Sequence, residues 1–382
     1  MRIWFFLIFL FFPFKTYSLE LSFGGRARGE VIASQGEKIL AAGTVARGAR
    51  QDLALAWIKG KEVIKKTVSF GDKVFIHGLV VRPDGKFVVG GFLKKKCCGD
   101  FLVAQFNPDG SLDENFGDKG FRRDDFGFNE EIHYLALQPD GHIVAAGFIQ
   151  DSKGCDFLIA RYLPNGKPDE SFGDHGKVVG DFTPDDRIFG VALQGDKIVV
   201  AGSVYHPETS DNCAVARYLK DGTLDKNFGS GGLAVFNSGP LQDVCSSVTI
   251  DKDGSIVAAG FSTQKIRDTD FFLGRLSGDG QEISVTKTDF HSGTDVAHAV
   301  EILPDGKIIL GGEYGFVKKG EISSGFAIAS YTYQGLQNGT KEIDFKASAA
   351  AEGMIFSHGN LFLIGFAGKK MALSSNALRI TY

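Results

Sequence analysis

The sequence predicts an all-β fold, a seven-bladed β-propeller of four-stranded antiparallel blades. Two observations predict it: a hexapeptide ending in glycine recurs seven times in the 382 residues, and a second apolar segment follows each copy. Seven such units fall within the range of blade numbers that propellers use. The 50 Gly and 34 Phe are typical of short strands joined by tight turns.

The recurring hexapeptide marks the second strand of each repeat. Its copies end between 48 and 58 residues apart, which gives a repeat of about 54 residues. Apolar segments on both sides of turns such as Pro139-Asp140-Gly141 predict that the first and second strands form a hairpin. The copies are KILAAG, KFVVGG, HIVAAG, KIVVAG, SIVAAG, KIILGG and NLFLIG, and they end at Gly43, Gly91, Gly147, Gly202, Gly260, Gly312 and Gly365.

The two ends of the chain are complementary. The third strand of each repeat follows a variable loop, as in DFLIARY from Asp156, and Tyr382 ends the third strand of the last repeat. That repeat therefore lacks a fourth strand. Leu19 to Phe23 alternates apolar and polar residues, so we expect this N-terminal strand to complete blade seven and close the ring. Closure would hide a sheet edge that otherwise invites pairing with other chains.

Residues 1–18 are typical of a secretory signal peptide. Arg2 supplies a positive charge, Ile3 to Phe12 an apolar run, and Thr16-Tyr17-Ser18 a cleavage site. This apolar run is too short to span a bilayer, so we expect no transmembrane segment in the mature chain. Residues 19–382 then form a single propeller domain, exported to the periplasm, the cell surface or the medium.

Charge argues against one class of partner. Without Arg2 and Lys15, 40 basic and 46 acidic residues remain, a net charge of −6. A general nucleic-acid binder carries a basic footprint, so we expect no nucleic-acid partner.

Five cysteines remain in a chain that we expect to be exported: Cys97, Cys98, Cys155, Cys213 and Cys245. An odd number cannot pair completely within the chain. Cys98 and Cys155 occupy the same loop of neighbouring repeats, so a disulfide between them is one alternative. It requires Cα atoms within about 7 Å of each other.

Three repeats carry a longer consensus after the third strand: NPDGSLDENFGDKG from Asn107, LPNGKPDESFGDHG from Leu163 and LKDGTLDKNFGSGG from Leu219. Joined to QPDGHIVAAG and DFLIARY, this consensus closely resembles the delta-60 repeat family of bacterial exported proteins. The resemblance covers nearly all of the mature chain and is strongest in repeats two to four. It implies a β-propeller and an exported location, and it carries no catalytic set.

The Asp-x-x-Phe-Gly loops of these repeats allow two interpretations. Asn107, Asp109, Ser111 and Asp113 place oxygens at alternate positions, as in a calcium loop, but the central Gly and final Glu of an EF-hand are missing. We favour a structural role, in which the aspartates bind loop amides and the phenylalanines pack between blades. The residues concerned are Asp113, Asp169, Asp225, Phe116, Phe172 and Phe228.

The inner strands suggest a metal site. Alignment by their turns places seven residues at one level: Gly29, His77, His133, Phe189, Ser246, His298 and Glu352. His77, His133, His298 and Glu352 offer imidazole and carboxylate ligands for a transition metal, at the mouth of the central channel. The alternative is that the rings pack between blades, as single histidines usually do.

Basic residues collect in the loops between second and third strands: Arg47, Arg50, Lys94, Lys95, Lys96, Lys318 and Lys319. They form a candidate surface for an anionic glycan. Acidic blade-to-blade loops share this face, so a mixed, solvated surface is the alternative.

Motifs of catalysis are absent from the sequence. It contains no phosphate-binding Gly-rich loop, no Gly-x-Ser-x-Gly elbow and no Cys-x-x-Cys pair. The sequence therefore favours a binding or scaffold module that meets a protein or glycan partner through its loop face. The alternative is a metal-dependent enzyme with its His-lined site at the channel mouth.

Overall fold

The computed structural model describes residues 17–95, 98–236, 238–239, 241–318, 321–345 and 348–376. Within these ranges the chain forms 28 β-strands and no helix, which confirms the all-β prediction. The described residues accordingly include no helix that could cross a membrane.

A single N-terminal strand, β1 (Tyr17–Leu21), precedes four strands in each sequence repeat until the last. Repeat one contains β2 (Arg26–Gln35), β3 (Lys38–Arg47), β4 (Arg50–Lys59) and β5 (Glu62–Val68). Repeat two contains β6 (Lys73–Val81), β7 (Phe87–Lys95), β8 (Cys98–Phe106) and β9 (Phe121–Asp124). Repeat three contains β10 (Asn129–Leu137), β11 (Ile143–Gln150), β12 (Cys155–Tyr162) and β13 (Lys177–Gly180).

The remaining strands follow the same order. Repeat four contains β14 (Asp186–Gln194), β15 (Lys197–His206), β16 (Ser210–Tyr218) and β17 (Leu233–Val235). Repeat five contains β18 (Asp243–Ile250), β19 (Ile256–Lys265), β20 (Asp268–Leu276) and β21 (Glu282–Thr288). Repeat six contains β22 (Thr294–Ile302), β23 (Ile308–Lys318), β24 (Glu321–Tyr331) and β25 (Gln337–Ile343), and repeat seven β26 (Ala349–Ser357), β27 (Asn360–Ala367) and β28 (Lys370–Asn376).

Antiparallel hydrogen bonding joins the strands of each repeat in chain order, as in β6-β7-β8-β9. One parallel contact, between Thr269 and Thr294, links the strands of repeats five and six into an eight-stranded sheet. In repeat seven, β1 pairs with β28, Tyr17 opposite Ser375 and Leu21 opposite Met371. The paired strand thus starts at Tyr17 rather than Leu19, two residues before the mature N-terminus expected from the sequence. Residues 1–16 of the expected signal peptide lie outside the described ranges.

The core consists of layers between neighbouring sheets. The second and third strands are buried on both faces, because each sheet is covered on both sides by its neighbours. Trp57 of β4 meets Phe87 of β7 edge to face, with ring centroids 6.0 Å apart. Burial of one such side chain contributes about 2 kcal/mol. Burial on both faces explains why the recurring hexapeptide is apolar throughout rather than alternating.

Three phenylalanines, which we call the plugs, fill the space between neighbouring sheets at one end of the molecule. Phe116, Phe172 and Phe228 are fully buried, and the Arg161 guanidinium lies 4.5 Å from the centre of the Phe172 ring. Gly222 of the next repeat covers that ring at φ +88°, and a Cβ there would lie 3.1 Å from the ring edge. Only glycine tolerates both the backbone angle and the close approach.

The aspartates of the same loops are occupied by protein donors. Asp225 accepts hydrogen bonds from Lys197 Nζ at 2.8 Å, Arg217 Nε at 2.9 Å and the Asn227 amide at 3.2 Å. The hydrogen bond from Lys197 is the main cause that lowers the pKa of Asp225. These contacts agree with the structural role favoured from the sequence. We call this end of the molecule, which carries the plugs and the Pro-Asp-Gly turns, the plug end.

Candidate functional site

A cavity of about 730 Å³ lies where the inner strands converge. Residues of β2, β6, β10, β14, β18, β22 and β26 line it, and so do Ala46, Gln51 and Gly368. The last three residues belong to the ends of strands and turns opposite the plug end. The cavity therefore opens at the end that carries the β3–β4 and β27–β28 turns, which we call the cavity end.

A β-bulge in every inner strand supplies one residue to this cavity. Each inner strand shifts register by one residue against the second strand of its repeat. A bulge leaves one residue out of the ladder and re-aims its side chain. The bulged residues, all of which line the cavity, are Glu30, His77, His133, Phe189, Ser246, His298 and Glu352, and we call them the bulge set.

This bulge explains why each hexapeptide ends in glycine. A Cβ on Gly91 would lie 1.8 Å from the carbonyl oxygen of Phe75, two residues before the bulged His77. The same approach, at 1.8 to 2.0 Å, recurs at the other six glycines. No side chain fits at such a distance. The signal that revealed the repeats in the sequence therefore also marks the residue that enters the cavity.

One member of the aligned level was assigned wrongly from the sequence. The register shift in β2 lies between Gly29 and Val31, so Glu30 and not Gly29 is the bulged residue. The turn at Gly36 brings Gly43 one residue closer to the bulge than the equivalent glycine in repeat two, and the alignment gave repeat one the longer spacing. The correction adds a second carboxylate to the bulge set.

One wall of the cavity is acidic. The Arg28 guanidinium contacts both Glu352 and Glu30, with Nε 3.1 Å from Glu352 Oε1 and 3.5 Å from Glu30 Oε1. The same guanidinium lies 4.8 Å from the centre of the Phe366 ring. Burial, together with the Glu352 charge, raises the pKa of Glu30 to about 8. Glu30 is therefore largely protonated at neutral pH in the unliganded cavity.

His298 belongs to the same wall. Its Nε2 lies 3.6 Å from Glu313 Oε1, beyond hydrogen-bond length, and the nitrogen has no hydrogen-bond partner in the described part of the chain. Burial alone would lower the pKa of His298, but the carboxylates of Glu313 and Glu352 outweigh it and raise the pKa. His298 thus carries positive charge at a higher pH than an exposed histidine.

The opposite wall is aromatic. The His77 and His133 rings stack with centroids 5.1 Å apart and an interplanar angle of 13°, and Phe189 meets His133 edge to face at 5.2 Å. Phe92 and Phe148 stack on the outer sides of the two histidines. Burial, with His133 a smaller cause, lowers the pKa of His77 to about 3. His77 is therefore neutral and contributes an aromatic surface.

The four proposed metal ligands line one cavity but do not form a ligand set. The lone pairs of two stacked imidazoles run side by side rather than converge on one ion. Glu352 is occupied by Arg28. In the described part of the chain, three donors meet within 4.8 Å of one another only in two other groups, Asp100–Asp125–Glu130 and Asp156–Asp181–Asp186.

These two acidic groups organise loops. Glu130 accepts a hydrogen bond from the Phe128 amide at 2.8 Å, and Asp186 accepts one from the Phe182 amide at 2.7 Å. Burial raises the pKa of Glu130 to about 7. The sequence showed that these loops are acidic, but not that Asp125 meets Asp100, because only the antiparallel pairing of β8 with β9 brings the two together.

The predicted basic surface is dispersed. Arg47 bonds Asp52 at 3.2 Å and the Phe23 carbonyl oxygen at 2.6 Å, and Arg50 lies 3.7 Å from Asp52. Lys94 and Lys95 are exposed at the end of β7. Lys318 ends β23, and Lys96 and Lys319 lie outside the described residues. Their role in glycan binding stays a prediction.

The disulfide joins Cys213 of β16 to Cys245 of β18, with Cα atoms 5.0 Å apart. It links neighbouring repeats. The Cys98–Cys155 bridge suggested by the sequence is not formed. Cys155 is instead a buried thiol, and burial raises its pKa to about 11. Cys97 lies outside the described residues.

Comparison with known proteins supports a propeller. A family model described as a domain of unknown function (DUF5122) β-propeller matches residues 82–116, 138–172 and 194–228. Each match runs from the first turn of a repeat to its phenylalanine plug, in the repeats where the sequence consensus is strongest. No curated protein matches the chain significantly. The delta-60 name stays a prediction.

Solved structures agree on the fold. Sqt1 from Chaetomium thermophilum, bound to the N-terminus of ribosomal protein L10, is 11% identical with a TM-score of 0.51, over 91% of this chain and 87% of that one. YCF48 bound to a D1 peptide is 10% identical with a TM-score of 0.53, over 94% and 96% of the two chains. Identity this low shows the fold alone. The comparisons and the four-stranded antiparallel sheets together show a β-propeller and support a β-propeller repeat family for this chain.

Proposed function

We propose that this protein is an exported, seven-bladed β-propeller that acts as a binding or scaffold module for a protein partner, which it meets at the cavity end. The observation that carries the proposal is the cavity of about 730 Å³, which every inner strand lines and to which all of them except β18 contribute charged or aromatic side chains. Ligand sites are typically concave, with a few polar groups among apolar ones. Variable loops on a rigid frame are where recognition usually lies.

Two further observations support parts of this proposal. The β1–β28 pairing supports a ring closed by the N-terminal strand. The packing of β2 against both β26 and β6 supports the same closure. Export rests on the apolar segment at residues 3–12. Two proteins of the same fold, Sqt1 and YCF48, are seen with a protein N-terminus and a peptide bound.

A site-specific photocrosslinker tests the proposal. Benzoylphenylalanine in place of Phe189, inside the cavity, should give a covalent adduct with one protein in cells that express the chain from its own signal sequence. The matched control places the same group at Val179, which is 46% exposed on the outermost strand β13. Equal labelling at both positions, or none at Phe189, would contradict a partner at the cavity end.

A further inference from the structure

We infer that the cavity binds an organic cation, a guanidinium or ammonium group, between the carboxyl groups of Glu30 and Glu352 and the aromatic wall. The inference deepens the proposed function, because it assigns to the partner a basic side chain that enters the cavity. The binding of the cation itself can be tested without the partner.

The first argument is a buried carboxyl group that lacks a hydrogen-bond donor. Glu352 is paired with Arg28, and Glu313 faces His298. Glu30 contacts only Arg28, at 3.5 Å, and no described residue donates a hydrogen bond to its carboxylate. Its side chain is only 11% exposed, and that exposure is to the cavity. Buried carboxylates are usually paired and hydrogen-bonded, so Glu30 lacks a donor that a bound cation would supply.

The second argument is that a cationic side chain of the protein already occupies a setting of this kind. Arg28 already places a guanidinium against Glu352 and over the Phe366 ring. A carboxylate beside an aromatic face is a favourable setting for a planar cation. Phe75, Phe189 and Phe261 offer further ring surface in the cavity, and Glu30 offers a second carboxyl group that a bound cation would ionise. A second guanidinium or ammonium group would find the same two kinds of contact.

The third argument is proton linkage. Glu30 is held protonated by burial and by Glu352, while Arg28 and His298 oppose that effect. The other titratable groups that line the cavity are Arg26, His77, His133 and Tyr134, and Glu313 lies 3.6 Å from His298. A cation favours ionised Glu30, so its binding near pH 7 should release a proton. A neutral ligand of equal shape should not.

Calorimetric titration with N-acetyl-arginine amide tests the inference, and N-acetyl-citrulline amide is the neutral isostere. We expect the arginine compound to bind at least about tenfold more tightly, to bind more tightly at pH 8.5 than at pH 6, and to release protons in buffers of different ionisation enthalpy. Equal binding of the two compounds, or no binding of either, would overturn the inference. This comparison uses the wild-type protein, so it does not depend on a variant that folds.

Glu30→Gln then assigns the site. We expect this variant to bind the arginine compound about tenfold less tightly, with the proton release lost. The matched control is Glu301→Gln, a buried carboxyl of β22 that does not line the cavity, and its binding should equal that of the wild type. Full affinity in folded Glu30→Gln protein would exclude Glu30 as the anion.

Two further probes identify the source of the cation. A blocked Gly-Arg-Gly peptide represents a partner side chain, and putrescine represents a free polyamine; the tighter ligand indicates the natural source. The two proposals can fail separately. Arginine binding without an adduct at Phe189 would leave the cation site and remove the protein partner, and an adduct without arginine binding would do the reverse.

Discussion

The pKa values of buried carboxyl groups shift in opposite directions at the two ends of this propeller. At the plug end, Asp113 and Asp225 each accept a lysine hydrogen bond at 2.8 Å, and these bonds are the main cause that lowers the pKa of both. At the cavity end, burial raises the pKa of Glu30 to about 8 and that of Asp295 to about 6. The contrast indicates that lysine hydrogen bonds keep carboxylates ionised at the plug end, whereas burial favours the protonated carboxyl group at the cavity end.

The largest expected effect lies at the plug end. Phe172→Ala should lower the free energy of unfolding by about 4 kcal/mol, because it removes a fully buried ring between repeats three and four. Urea denaturation measures the change. Val179→Ala, at an exposed position of β13, is the control and should cost less than about 0.5 kcal/mol. Similar losses for both variants would show that the plug does not hold the repeats together.

The bulge gives the next prediction. Gly202→Ala should cost about 3 kcal/mol, because its Cβ would meet the Arg187 carbonyl oxygen at 1.8 Å and force the bulge of β14 to rearrange. Gly36→Ala provides the control, since Gly36 has φ +58° but open space around it, and should cost about 1 kcal/mol. If thermal unfolding shows a larger loss of stability for Gly36→Ala than for Gly202→Ala, the bulge does not require the glycine that ends each hexapeptide.

Glu30 should make the cavity end lose stability as pH rises. Between its ordinary pKa of 4.5 and its folded value of about 8, the folded protein keeps a proton that the unfolded chain has released, so stability falls as pH rises through this window. Partial exposure of Glu30 to the cavity reduces the effect. We expect the free energy of unfolding to fall by roughly 2 kcal/mol across this window. Unfolding of Glu30→Gln measured at pH 5 and pH 8 should show a smaller difference than the wild type. An unchanged difference would argue against a perturbed Glu30.

Asp225 should show the opposite sign, with the smallest effect. Its folded pKa is lowered, so the stability it contributes is present above its ordinary value of 3.8 and disappears as pH falls through the folded pKa. Asp225→Asn should therefore be about 1 kcal/mol less stable than the wild type at pH 7, and this deficit should shrink as the pH falls below 3.8. A deficit that stays constant as the pH falls would mean that packing, and not charge, is lost.

Much of the fold could be predicted from residues that repeat. Gly91 and its equivalents mark the second strands, and Phe172 marks the plug, because the same backbone geometry demands the same residue in each repeat. The Glu30 position was missed for a local reason. The turn at Gly36 is one residue shorter than the Pro-Asp-Gly turns, and the alignment allowed for such a turn in repeats four and seven but not in repeat one.

The metal hypothesis shows a second limit. His77, His133 and His298 line one cavity, yet ring orientation decides whether histidines coordinate or stack. Orientation depends on Phe92 and Phe148, which come from the second strands of two different repeats. The disulfide shows the same limit, because Cys213 and Cys245 come together only through the packing of β16 against β18.

The sequence by itself determined the repeat, the all-β class and the residue types available at the centre, because strand periodicity and glycine positions are local properties of the chain. The tertiary structure alone decided that Glu30 and Glu352, 322 positions apart in the chain, both contact Arg28, and that Arg28 hydrogen-bonds only Glu352. Charges from the first and last repeats become neighbours only when the sheets assemble around the cavity. The electrostatics of the site is therefore a property of that assembly, since burial and the distances between charges set each pKa.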